Sequence, residues 1–244
     1  MRQLERDELA VQSNFIHNPS NEQVIEFRVK ITLAMNPKLL PGLALVLSGS
    51  LNCPAAILYP EAPDGGQQVI REAFQGLSRS ISRYLGGFQI EDLTIAHPFR
   101  DYSVGLTNLA SGQLLPPARA GTWRYLLLHG TSAVGAAELM ADPTNGTALK
   151  FAGLDTTDFS RETQEALQRA EQLPQIKKQD YELRRLDCPA ILFVAIWLHG
   201  KSDDILIPLP PTWGRWNAYQ PYSETELIKL LKPEAEKRLK AGAI

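Results

Sequence analysis

The sequence predicts an α+β fold, with a mixed α/β arrangement as the alternative, in which helices cover a central mixed β-sheet. Three stretches indicate this. Residues 191–198 are all apolar and mostly β-branched or aromatic, as in a strand buried on both faces. Residues 67–85 place apolar side chains at helical spacing. Residues 25–33 alternate apolar and polar side chains, as in a strand with one face in water.

The remaining elements follow from shorter patterns. Residues 199–204 are polar or turn-forming and separate two apolar runs, which predicts a hairpin. Ser223 and Glu226 have the spacing of a capping box at the start of a helix. We therefore expect a sheet that contains residues 25–33, 123–128, 191–198 and 205–208, and covering helices at residues 67–85, 132–141 and 224–240.

The composition limits the classes of function. The 244 residues are expected to form a single globular domain, with a possible internal boundary in the loop 108–121. The formal net charge is -2, so no binding of nucleic acid or of an anionic membrane is predicted. Residues 39–60 carry no charge, but interrupting prolines and glycines favour two buried strands over a membrane span. The two cysteines, Cys53 and Cys188, predict buried thiols and a cytoplasmic protein.

Two short fragments resemble parts of the α/β-hydrolase family. In residues 126–132, a predicted strand runs into His129-Gly130 ahead of a predicted helix, which resembles the loop that faces the oxyanion. Residues 200–208 are similar to the segment that carries the acidic triad residue. The resemblance implies a hydrolase-like small-molecule enzyme. However, no Gly-x-Ser-x-Gly turn lies between the fragments and no histidine follows His199, so the triad's nucleophile and base have no counterpart.

The histidines suggest one alternative site. His129 and His199 each end a predicted strand and each precede a glycine, so they could converge with Asp203 or Asp204 into an acid–base site. The simpler interpretation is that both are loop histidines in contact with solvent. No histidine has the spacing of a metal ligand, and no glycine-rich phosphate loop is present. The sequence therefore predicts neither a metal site nor a cofactor.

The segment 213–222 is the main candidate for a binding surface. It contains Trp213, Arg215, Trp216, Tyr219 and Tyr222, residue types that are enriched at recognition surfaces. The alternative is that these rings fold back over the sheet and complete the core. We expect a non-catalytic interaction or assembly module that binds a protein partner, or a second copy of itself, through these residues. The small-molecule enzyme with a site near His129 and His199 is the second hypothesis.

Overall fold

The structure of the chain, a computed structural model, describes residues 55–141 and 148–242. The predicted strand at residues 25–33 and Cys53 lie outside the described residues. The elements follow one another in this order: β1 (Ile57–Leu58), α1 (Gly66–Tyr84), β2 (Leu93–Ser103), α2 (Leu106–Ala110), β3 (Arg119–His129), β4 (Ser132–Ala141), β5 (Ala148–Asp155), α3 (Phe159–Ala170), β6 (Tyr181–Cys188), β7 (Phe193–Gly200), β8 (Asp204–Pro208) and α4 (Glu224–Lys240).

In these ranges the strands form one eight-stranded sheet with the order β5-β4-β3-β2-β6-β7-β8, and β1 pairs with β6. Strands β2 to β5 form one antiparallel meander, and β6 to β8 form a second. The two meanders meet where β2 and β6 pair in parallel, with Tyr102 opposite Leu186. The predicted α+β fold with a mixed central sheet is confirmed. Residues 108–121, the possible internal boundary, include the end of α2 and the start of β3 and so belong to the connection between two neighbouring strands, β2 and β3.

Helices cover both faces of the sheet. On one face, named here the α3 face, α3 packs through Ala166 and Ala170. On the opposite face, named the α4 face, α1 covers the first meander with Phe74, and α4 covers the second meander with Leu227. Strand β7 lies between these layers, and its central residues are buried from both sides as its apolar sequence predicts.

The helix predicted at residues 132–141 is wrong, because this segment is strand β4. The chain turns tightly after β3 at Gly130, which has a φ of 59°, and β4 pairs back along β3. Alanine is a good helix former, but here its small side chain has another use. Ala136 is fully buried on the α3 face and Ala137 on the α4 face, so both helical layers can approach the strand closely. Tertiary packing has overridden the local preference.

The other predicted helices and the hairpin are present. The helix predicted at 67–85 is α1, and α4 is a single helix that continues through Pro233. Ser223 and Glu226 make both hydrogen bonds of the capping box at its start. The hairpin formed by β7 and β8 is also observed. Its first strand begins later than predicted, at Phe193, because a 3-10 turn at Pro189–Ile191 precedes it.

Strand β6 has no counterpart among the sequence predictions. Tyr181 and Leu183 point to the α3 face, while Leu186 and Cys188 point to the α4 face. Each face of the strand therefore mixes apolar and charged residues, and the apolar alternation that marks a strand is lost. This strand carries Arg185, one of the two arginines on which the candidate site depends.

Candidate functional site

The two histidines of the predicted enzyme site lie far apart. His129 ends β3, and its ring stacks on Phe88 with 4.1 Å between centroids. His199 lies near the end of β7, opposite Glu182 of β6. Strands β2 and β6 lie between β3 and β7, so three strand spacings, or about 14 Å, separate the two backbones across the sheet. The predicted convergence of His129 and His199 is therefore wrong. Both residues lie near the ends of strands, but β2 and β6 separate those strands in the sheet.

The two aspartates also separate. Asp204 Oδ1 lies 2.7 Å from His199 Nδ1 and accepts a hydrogen bond of 2.8 Å from Trp197 Nε1 on the α4 face. Asp203 instead accepts from the Tyr181 hydroxyl at 2.8 Å, and that ring belongs to the core of the α3 face. Only the pair formed by His199 and Asp204 remains, and it lies at the sheet margin with the histidine side chain 41% exposed.

The aromatic segment divides into buried and exposed residues. Trp216 is 2% exposed and packs edge-on against Phe193, with 5.6 Å between ring centroids. Tyr222 is 8% exposed, and its backbone forms a bridge with Leu206 of β8. These two rings complete the core, so their predicted role as contact residues is wrong. The segment runs beside β8, and that position turns both side chains inward.

The other members of the predicted surface differ in exposure. Trp213 is 69% exposed, and Arg215 is exposed. Tyr219 is half-buried: its hydroxyl donates to Glu165 at 3.1 Å, and the Arg169 guanidinium lies over its ring at 4.2 Å. Trp213 and Arg215 are thus free to meet a partner, whereas Tyr219 attaches the segment to α3.

A cluster of charged side chains that sequence reasoning missed lies on the α3 face, beyond the part covered by α3. Arg124 of β3 is 6% exposed and forms its centre. Its Nε lies 3.2 Å from Asp101 of β2, its Nη1 lies 2.6 Å from Asp155 of β5, and its Nη2 donates to Glu138 of β4. Three carboxylates from three other strands of the sheet therefore surround one guanidinium.

The cluster continues onto β6 through Arg185, which is 8% exposed. Its Nη1 lies 3.0 Å from Asp101 Oδ2, the oxygen that also accepts from Arg124, and 3.7 Å from Asp187. We name the set the arginine cluster. Its two positive charges against four carboxylates leave a formal net charge of -2. Its members are Arg124, Arg185, Asp101, Glu138, Asp155 and Asp187.

Position within the cluster decides the proton affinity of its carboxyl groups. Burial raises the pKa of Asp187 above its ordinary value, and the charge of Arg185 offsets this only in part. Burial also acts to raise the pKa of Asp155, but hydrogen bonds from Thr157 and the charge of Arg124 outweigh it and lower that pKa. Asp155 is thus a stable carboxylate, whereas Asp187 is ionised at an energetic cost.

A cavity of about 420 Å³ lies over the arginine cluster. The cluster without Asp155 lines it, together with Tyr102, whose ring lies on the α4 face. The remaining lining residues are Ser103 and Gly121, which are exposed, and Thr122, which is half-buried, and we name these three the rim. Three polar atoms of the cluster are buried and have no hydrogen-bond partner among the described residues: Asp101 Oδ1, Asp187 Oδ1 and Arg185 Nε. Buried polar atoms are normally satisfied, so the cluster is not closed upon itself.

One signal in the sequence could have revealed the cluster. Arg124 stands between Trp123 and Tyr125 in a strand that continues with three leucines. A charged residue within a buried strand needs a partner of opposite charge, because an isolated buried charge costs many kcal/mol. That argument predicts a buried ion pair but does not identify the partners. Asp101 and Asp155 lie close to Arg124 because of the order of the strands in the sheet, which the sequence pattern does not give.

No group of three or more histidine, cysteine, aspartate or glutamate residues is arranged to hold a metal ion in the part of the chain that the structure describes. Over the same residues, no helix combines the length and the apolar character needed to cross a bilayer. Comparisons of the chain with protein families, with curated proteins and with solved structures find no match. The functional argument therefore depends on the geometry alone.

Proposed function

We propose that the protein is a non-catalytic interaction module that binds a protein partner through the exposed residues Trp213, Arg215 and Leu192, which we name the Trp213 surface. The observation that carries this proposal is the 69% exposure of the Trp213 indole. Tryptophan is a large apolar side chain that is highly buried on average, and it is enriched among residues that dominate binding energies. An indole left in water is thus available for burial against a partner.

The base of this surface is rigid. Gly214 lies directly against the Trp216 ring, so that a Cβ at this position would come within 1.8 Å of the ring. The Trp216 ring in turn packs on Phe193 at the start of β7. Because the residue after Trp213 rests on a buried ring, the Trp213 backbone is held in place before binding. Such preorganisation lowers the entropy cost of association.

Leu192 is the second apolar component. It is 55% exposed and has a φ of 52°, a left-handed conformation that is unfavourable for leucine. It adjoins Phe193, the ring that contacts Trp216, so it lies at the same end of the sheet as Trp213. The exposed part of this side chain is available for a contact made outside the chain.

The charge of Arg215 indicates which chemical groups a matching partner surface carries. It is the exposed charged residue between Trp213 and Trp216, so the matching surface is an apolar pocket with a carboxylate at its edge. The proposed occupant is a different protein, and self-association is an outcome of the test. With a formal charge of -2 and Cys188 as a buried free thiol, we place this interaction in the cytoplasm and without nucleic acid.

The test begins with analytical ultracentrifugation of the full chain, which distinguishes a monomer from a self-associated form. Affinity capture of binding proteins is then compared for wild type, Trp213→Ala and Leu192→Asn, where asparagine tolerates the left-handed backbone. Tyr84→Ala is the matched control, because Tyr84 is an aromatic residue with 66% exposure elsewhere.

We expect a monomer, and a captured protein that is lost with Trp213→Ala and reduced with Leu192→Asn but retained with Tyr84→Ala. A wild-type dimer that Trp213→Ala dissociates would replace the foreign partner by a second copy of this chain. Capture that is unchanged by Trp213→Ala would refute the proposal.

A further inference from the structure

The cavity over the arginine cluster has a polarity that identifies the kind of ligand it fits. Arg124 and Arg185 are directed inward, with only 8% and 9% of their side chains exposed, and both are bound to carboxylates. The more exposed charged groups are acidic: Glu138 is 27% exposed and Asp187 is 22% exposed. The charge that meets solvent is therefore negative, although arginines lie beneath it.

We propose that this cavity binds an organic cation through a primary ammonium or guanidinium group. Such a group carries N–H donors and a positive charge, which match exposed carboxylates and a cluster with a formal net charge of -2. An anion is disfavoured, because both guanidinium groups already pair with carboxylates and the one unpartnered guanidinium atom, Arg185 Nε, is buried. The cavity lies on the α3 face, whereas Trp216 beneath the Trp213 surface packs on the α4 face, so the two proposals are independent.

Two observations support a built site over a purely structural ion network. First, the Asp187 side chain is 22% exposed, and its Oδ2 lies 3.7 Å from Arg185 Nη1, beyond hydrogen-bond distance, so this carboxylate retains acceptor capacity. Second, the open depression over the cluster has a volume of about 420 Å³, which lies in the range of small-molecule sites.

The cation could be a free amine or the lysine or arginine side chain of a peptide. The probes are therefore n-butylammonium and ethylguanidinium for the free form, and N-acetylated, C-amidated Gly-Lys-Gly and Gly-Arg-Gly for the peptide form. N-ethylurea is the neutral analogue of ethylguanidinium. Binding to the full chain is followed by NMR at constant ionic strength, through the backbone amide signals of Gly121 and Thr122 at the rim.

We expect saturable shifts with the cations and none with N-ethylurea. Asp187→Asn should weaken binding about tenfold, as expected when one charge-assisted hydrogen bond is lost. Asp158→Asn is the matched control, because Asp158 is 77% exposed and outside the cavity lining. Ser103→Phe should block the rim without touching an ion pair, and Ser103→Ala should not. The Ser103 variants decide the matter if Asp187→Asn does not fold.

Tighter binding of the peptides than of the free cations would identify a basic side chain as the ligand, and the reverse order a free amine; both support the proposal. It would be overturned if no cation gave saturable shifts or if N-ethylurea bound equally well. Tighter binding of Mg²⁺ or inorganic phosphate at the same amides would also overturn it, as would equal losses in Asp158→Asn and Asp187→Asn.

Discussion

Arg184 and Arg185 are neighbours on β6, yet they lie on opposite faces of the sheet in contrasting surroundings. On the α4 face, Arg184 lies over the rings of Trp197 and Tyr102, at 4.7 and 5.1 Å, and pairs with Glu182 at 2.7 Å. On the α3 face, Arg185 lies among carboxylates.

The comparison shows two ways of placing a cation near a core. The rings of Trp197 and Tyr102 stabilise the charge of Arg184 and also pack against apolar residues. Few further polar groups are therefore needed around Arg184. The charge of Arg185 is met by aspartates, which themselves need partners, and the network extends from β6 to β5. The first arrangement serves packing, whereas the second produces a polar cavity.

The largest expected difference between the two faces is in stability. Arg185→Met should lower the free energy of unfolding by about 3 kcal/mol, because it leaves the partly buried carboxylates of Asp101 and Asp187 with less compensation. Urea denaturation at neutral pH measures this loss. Arg161→Met, at an exposed arginine that also pairs with two carboxylates, should leave the midpoint unchanged. Equal midpoints for all three proteins would show that the network contributes nothing to stability.

Arg184→Met should have a smaller effect, of about 1 kcal/mol, in the same urea measurement. Its side chain is 17% exposed, and methionine keeps the apolar contact with Trp197 while losing the cation–π attraction. A loss as large as that of Arg185→Met would contradict the contrast between the two faces.

The effect of pH on stability should have opposite signs for two members of the arginine cluster, Asp155 and Asp187. The lowered pKa of Asp155 means that its ionisation stabilises the fold above pH about 4, and that this contribution disappears as the pH falls through the folded-state value. The raised pKa of Asp187 means that its ionisation destabilises the fold at neutral pH, and that this penalty is relieved as the pH falls.

Asp155→Asn should therefore be less stable than wild type near pH 7, and Asp187→Asn as stable or slightly more stable. Both differences should shrink toward acidic pH. Urea midpoints measured between pH 7 and pH 3, a range that brackets the ordinary aspartate pKa, follow these changes. Differences of the same sign for the two variants would show that the cluster does not hold its carboxyl groups in distinct environments.

The sequence predicts those parts of the fold whose signals are local. The hairpin of β7 and β8 and the capped helix α4 are set by apolar periodicity and by the residues Ser223 and Glu226. Strand β4 was mistaken for a helix because its alanines are selected by the space between two layers, which is a tertiary property. Strand β6 was missed because each of its faces mixes charged and apolar residues.

The candidate sites were harder to predict than the elements. Exposure separates Trp213 from Trp216, although both are tryptophans in the same segment, because only Trp216 meets Phe193. The arginine cluster depends on which strands are neighbours, and no local pattern in the sequence specifies that β2 pairs with β6. His129 and His199 illustrate the same dependence, since strand order keeps them apart.

The parallel pairing of β2 and β6 has a consequence for the order of folding. Each antiparallel meander closes through connections much shorter than the separation of Asp101 and Arg185, which are 84 residues apart in the chain. Closing so long a loop costs more chain entropy than closing a hairpin, so β2 and β6 should pair after each meander has formed. The polar cavity is lined by residues of both strands. A nascent or half-folded chain therefore lacks it, and only the finished protein offers it to a ligand.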